Sequence, residues 1–180
     1  MKSNEQDIIA RIKEPRSRSK AFEEIVNQYG QTLYWQIRRI VTFHEDADDV
    51  LQNTFIKAWN NLDKFRGESK ISTWLYRIAY NESITFLNSK CQTISIDNEE
   101  ENFAERLESD TYFDGDSTQV LLQQAIQQLP DKQRAVFTLK YYQELKYEEI
   151  SEITRTSIGA LKASYHHAVK KIEDFFNQIE

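Results

Sequence analysis

From Ser19 onward, apolar residues return every three or four positions through most of the chain, and this spacing commits it to helices. The first stretch, Ser19 to Val41, carries Phe22, Ile25, Val26, Tyr29, Leu33, Trp35, Ile37 and Ile40. A second begins after His44 with Ala47, Val50, Leu51, Phe55, Ala58 and Leu62, and a third spans Ile71 to Leu87. Between these two lies a polar loop, Asp63 to Lys70, with Ser72 or Thr73 expected to cap the helix that follows. Helical spacing resumes at about Thr118 and runs to Leu129. Pro130 then ends that helix or opens the next. Only four Gly and two Pro occur in 180 residues, which disfavours a turn-rich all-β chain.

Periodicity fails in one place. Residues 91–118 hold one basic and nine acidic side chains, a net −8. Residues 1–90 hold 14 basic and 12 acidic, and residues 119–180 hold eight of each. The acidity therefore sits in the middle, between flanks of about neutral charge. The expectation is an all-α chain of two small helical domains, residues 1–90 and 118–180, joined by a flexible acidic linker over 91–117. Neither flank is strongly basic, so any nucleic-acid binding by the isolated chain is expected to be weak and salt-sensitive. Cys91 is the single cysteine, which rules out an intramolecular disulfide and fits a reducing, cytoplasmic setting. The first twenty residues are polar and lack an apolar leader core, and no run of about 18 apolar residues occurs, so neither a secretory signal nor membrane insertion is expected.

The segment Lys146 to Ile172 has helix-turn-helix proportions. A short helix ends near Ile153, Thr154-Arg155-Thr156 makes the turn, and Ser157 caps a longer helix. Leu161, Tyr165, Ala168, Val169 and Ile172 form its inward stripe. Gly159, Lys162, Ala163, His166, His167 and Lys170 face outward, where Lys and His suit phosphates and base edges. His166 and His167 are successive on a helix, so they point about 100° apart and cannot both hold one metal ion well.

These segments together resemble sigma factors of the extracytoplasmic-function (ECF) group of the sigma-70 family. Leu129 to Phe137, Tyr147 to Ile153, Ser157 to Lys162 and His167 to Ile172 are similar to the four motifs of the family's region 4. Asp46 to Trp59 and Ser72 to Asn81 are similar to two motifs of its region 2. Two independent motif sets in the right order cover nearly the whole chain outside the linker and the first twenty residues.

The resemblance implies a transcription initiation factor, not an enzyme. Its partners would be core RNA polymerase, through the β′ clamp helices and the β flap, promoter DNA, and an anti-sigma protein. No cofactor is implied. Asp48, Asp49, Gln52, Asn53 and Ile56 would dock on the clamp helices, the carboxylates and amides meeting an Arg-bearing partner helix. Gly67, Ser69, Lys70 and Ser72, with Trp74, Arg77, Tyr80 and Asn81, would meet the minus-ten element. Capture of unstacked bases needs small residues, hydrogen-bonding groups and nearby aromatic or basic side chains. Ser157, Lys162, Ser164, His166, His167 and Lys170 would meet the minus-thirty-five element. The chain departs from the family in three places. Thr85, Asn88 and Ser89 replace an acidic residue and an Arg pair, leaving Lys90 as the only base there. Arg155 replaces the turn glycine. Ser164 and His167 stand where Arg is common, which implies a different minus-thirty-five preference.

Three rival readings weigh less. A stand-alone helix-turn-helix regulator leaves the Asp46–Trp59 motif unexplained. A metal-dependent enzyme would need Asp46, Asp48 and Asp49 to converge, but on one helix they fan out around the axis. A purely protein-binding adaptor predicts no effect of promoter DNA.

Overall fold

A computed structural model describes the backbone of residues 5–93 and 117–179, and the side chains of 5–90 and 118–179. Among these residues the chain is helical, with no strand. The first helix, α1 (Glu5–Lys13), lies where the sequence showed only a polar N-terminus; it inserts Ile8 and Ile12 into the core. Then come α2 (Arg18–Val41), α3 (His44–Asn60), a short 3-10 turn at Leu62–Lys64, and α4 (Ile71–Thr93). The C-terminal half comprises α5 (Ser117–Gln127), α6 (Asp131–Phe137), a π-helical turn at Thr138–Tyr142, α7 (Tyr147–Thr154) and α8 (Ile158–Asn177). The expected linker, residues 91–117, lies outside the described residues except at its ends, where α4 continues to Thr93 and α5 starts at Ser117.

Helices α2, α3 and α4 pack mutually, with Ile25, Leu33, Ile37, Ile40, Ala47, Val50, Ala58, Leu75 and Ala79 inside. Burying aliphatic side chains of this size contributes about 1.5–3 kcal/mol each before chain entropy is charged against it. The α2–α3 corner is tight. Thr42 stands at φ 81° and ψ −50°, and the Phe43 N–H donates to the Val41 carbonyl at 3.2 Å. This is a γ-turn of the strained hand, taken by a buried β-branched residue.

The start of α4 differs from expectation. Neither Ser72 nor Thr73 caps it, because both lie inside the helix. The Glu5 carboxylate accepts the Ile71 N–H instead, supplied by α1 from the other end of the domain. A second difference lies after Pro130, which occupies the N-cap of α6. The chain that follows is α-helical only to Phe137; Thr138–Tyr142 widens into the π turn. That extra residue per turn places Tyr141 outward while Leu139 stays buried.

The halves pack against each other. Buried Ile150, Ile153, Leu161, Ala135, Val136 and Leu139 join one continuous apolar cluster with the α1–α4 core. A separate cluster of Ala125, Ile126, Leu129, Phe137, Ala168 and Ile172 holds α5, α6 and α8 together. Polar contacts tie the junction. Arg134 on α6 donates to the Ile40 carbonyl at the end of α2 (3.0 Å), and also to the carbonyls of Gln127 (2.8 Å) and Leu129 (3.2 Å). Arg39 stacks 4.2 Å from the Tyr142 ring centroid. Burial lowers the Arg39 pKa and raises that of Tyr142 from their ordinary values, as expected for groups inside a junction.

Candidate functional site

Three surfaces carry the residues singled out in the sequence. The first is the outer face of α3. Ala47, Val50, Thr54 and Ala58 turn inward, and Thr54 satisfies its hydroxyl on the Val50 carbonyl at 2.7 Å. Helical geometry then leaves Asp48, Asp49, Gln52, Asn53 and Ile56 exposed. Ile56 is 51% exposed, and Trp59, one turn on, is 36% exposed. With Phe22, Val26, Gln52 and Phe55 they line an open groove of about 320 Å³ between α2 and α3. Trp59 packs edge-on against Phe22 at 5.2 Å and lies under the Arg18 guanidinium at 5.5 Å, so the groove has a fixed wall. Sequence reasoning named Ile56 but missed Phe22, Val26 and Trp59. The available signal was Trp59 three residues after Ile56, a second apolar position on the outer face of the same helix.

The second surface is the loop before α4 and the first turns of that helix. Gly67 takes φ +77°, a conformation that favours glycine. Lys70 and Asn81 are exposed, and Ser69 and Ser72 are half-buried. Trp74 packs on buried Phe65, with ring centroids 5.0 Å apart. Tyr80 is only 8% exposed and joins the apolar cluster shared by both halves. Desolvation in that core raises its phenol pKa. Arg77 and Lys70 are engaged across the junction. The Arg77 Nε donates to the Glu152 carbonyl at the end of α7 at 2.9 Å, and Lys70 lies 3.6 Å from the Glu149 carboxylate.

The third surface is the helix-turn-helix, α7 and α8. Glu149 accepts the Lys146 N–H at 3.0 Å at the start of α7, and the Ser157 hydroxyl accepts the Ala160 N–H at 3.3 Å at the start of α8. Gly159, Lys162, Ala163, His166, His167 and Lys170 are all exposed, with Ser157, while Ser164 is half-buried. Leu161, Ala168 and Ile172 are buried beneath them. The glycine missing from the turn is replaced without altering the turn. Arg155 adopts the left-handed conformation, φ 55° and ψ 36°, and its N–H closes α7 on the Ser151 carbonyl at 2.9 Å. A side chain there costs about 1–2 kcal/mol relative to the right-handed region. Arg155→Gly is therefore expected to raise stability by roughly 0.5–1 kcal/mol once the more flexible unfolded chain is charged, read as a higher urea midpoint.

Among the described residues, an all-helical fold of two domains, one a helix-turn-helix and one bearing an exposed apolar groove, fits a DNA-binding protein that docks on another protein. The comparisons make this specific. The family model for Sigma-70 region 2 matches residues 25–91, and that for Sigma-70, region 4 matches residues 119–172. The chain is 35% identical over 156 residues to the ECF RNA polymerase sigma factor SigW of Bacillus subtilis, covering 81% of this chain and 83% of that relative. It is 30% identical over 179 residues to the RNA polymerase sigma-H factor of Pseudomonas aeruginosa, covering 94% and 92%. The fold resembles CnrH, solved in complex with the cytosolic domain of CnrY (TM-score 0.73, 22% identity, 98% and 99% covered). It also resembles the sigma factor RpoE of Bartonella quintana, solved with the anti-sigma factor NepR (TM-score 0.68, 21% identity, 88% and 98% covered). The chain belongs to the sigma-70 family of RNA polymerase sigma factors, in its ECF group. It is a transcription initiation factor that directs RNA polymerase to promoters.

Proposed function

We propose that the three surfaces divide the work of initiation. The α3 face, with Asp48, Asp49, Gln52, Asn53 and Ile56, docks on the clamp helices of the polymerase β′ subunit, and the domain carrying α5–α8 meets the β flap. The exposed Ile56–Trp59 groove, on a helix that also exposes Asp48, Asp49, Gln52 and Asn53, is the observation that carries this reading. Apolar area gives affinity there, and the carboxylates set orientation against basic partner residues. Gly67, Ser69, Lys70, Ser72, Trp74, Arg77, Tyr80 and Asn81 contact the minus-ten element and hold unstacked bases. Ser157, Lys162, Ser164, His166, His167 and Lys170 contact the minus-thirty-five element. The working division is residues 1–90, 91–117 and 118–180.

Lys70 and Arg77 are tied to α7 in the packed arrangement, so minus-ten contact requires the halves to part. One similar structure holds the cytosolic domain of CnrY and another the anti-sigma factor NepR; an anti-sigma protein is the proposed inhibitor of this chain too. The chain acts in the cytoplasm and carries out no catalysis of its own. Among the described residues no helix is long and apolar enough to cross a membrane.

A run-off assay with core polymerase tests the reading. Addition of the chain should give promoter-specific transcripts from templates selected by the holoenzyme, and no association with core enzyme at low salt would sink it.

A further inference from the structure

The loop that precedes α4 is bonded from outside at both ends, and α1 supplies one of those bonds and lies beside the middle of the loop. At its start, Asp63 pairs with Arg18 at 2.8 Å. In its middle, the Ile9 side chain lies 3.7 Å from where a Cβ on Gly67 would stand. At its end, the Glu5 carboxylate accepts the Ile71 N–H, the first free donor of α4. Helix α1 is itself anchored. Ile8 and Ile12 are buried, and Arg11 forms a two-pronged ion pair with Glu24 of α2 at 2.7 and 2.6 Å. That hydrogen-bonded pair lowers the Glu24 pKa and raises that of Arg11.

We propose that α1 is a brace that sets the shape of the minus-ten loop, with Glu5 as a positioning residue for promoter opening. The inference rests on the reading of residues 67–72 as the minus-ten contact. A loop that captures an unstacked base must already be in its capturing shape, or binding energy is spent on ordering it. Ser72 and Thr73 leave the α4 N-terminus uncapped, so without Glu5 the first turn frays and the loop lengthens at its C-terminal end. Glu5 also places a carboxylate where a DNA phosphate would otherwise meet the helix start, which leaves Lys70 and Arg66 as the nearby cations for the backbone.

The test compares full-length wild type, Glu5→Ala, Glu5→Gln and Ser69→Ala, each assembled with core polymerase. Three quantities are read: affinity for core enzyme, permanganate-reactive open complex, and base preference in a randomised minus-ten library. Glu5→Ala should lower open complex by about 5–10-fold, the size of a lost helix cap, and flatten the base preference, with core affinity unchanged. Glu5→Gln should retain most of the function, because its amide oxygen still accepts the Ile71 N–H. If Ser69→Ala is defective and Glu5→Ala opens promoters normally, the brace is overturned. A parallel loss of core affinity in Glu5→Ala, or a defect in Glu5→Gln equal to that in Glu5→Ala, also overturns it. If Ser69→Ala changes neither opening nor preference, the minus-ten reading of the loop fails, and the brace falls with it.

Discussion

Ile56→Glu is expected to lower affinity for core RNA polymerase by about 30–100-fold while leaving the fold intact. Ile56 is 51% exposed and lines the α2–α3 groove, so no buried contact of the free chain depends on it. On docking, its remaining apolar surface would be buried; the carboxylate substituted there would have to be desolvated without a partner. Central apolar anchors of protein interfaces cost about 2 kcal/mol or more when removed, and about 2–2.7 kcal/mol corresponds to that range. A gentler pair, charge reversal at Asp49 combined with Gln52→Ala, should cost about tenfold and act mainly on the association rate, with strong salt dependence. Trp59→Ala should fall between them, because the ring also braces Phe22. Fluorescence anisotropy of labelled chain against core enzyme measures all three. An unchanged dissociation constant for Ile56→Glu would show that the groove is not the docking site.

Arg134→Ala carries the largest expected effect on stability, about 3 kcal/mol. The guanidinium is buried and serves three main-chain carbonyls: Gln127 at the end of α5, Leu129 in the turn after it, and Ile40 in the last turn of α2. Removing it leaves buried acceptors unsatisfied, at about 1–3 kcal/mol each when no water replaces it. It also opens a cavity between the halves. Arg134→Lys should rescue poorly, since one ammonium cannot reproduce the planar fork that reaches both helix ends. All three tryptophans, Trp35, Trp59 and Trp74, lie in the N-terminal half. Tryptophan fluorescence therefore follows that half, and far-ultraviolet circular dichroism follows both. The variant should shift the dichroism midpoint strongly and the fluorescence midpoint little, and its radius of gyration should rise as the halves part. A shift below about 0.5 kcal/mol, the range of an ordinary surface change, would contradict the role.

Much of the proposed docking and recognition surfaces was legible in the chain. On α3 the inward Ala47, Val50 and Ala58 and the outward Asp48, Asp49, Gln52, Asn53 and Ile56 follow from a 3.6-residue period. The same period sorts α8 into buried Leu161, Ala168 and Ile172 and exposed Lys162, His166, His167 and Lys170. Tyr80 shows the limit. Its spacing on α4 permits either a core or a groove position, and only the packing of neighbouring helices buried it. Arg155 shows another. A turn was legible, but whether a non-glycine would take it up depended on the surrounding helices holding it.

By itself the sequence determined the helices from α2 onward, most of their inward and outward faces, the order of the two halves and the membership of the sigma family. These are local properties, written in repeats of three and four residues and in short motifs. The tertiary structure alone decided which helix end meets which side chain. Glu5 reaches Ile71 across 66 positions and Arg134 reaches Ile40 across 94. No local period records such a pairing. It follows from the shape in which the helices pack, and that shape is set by the volumes of all the buried side chains together.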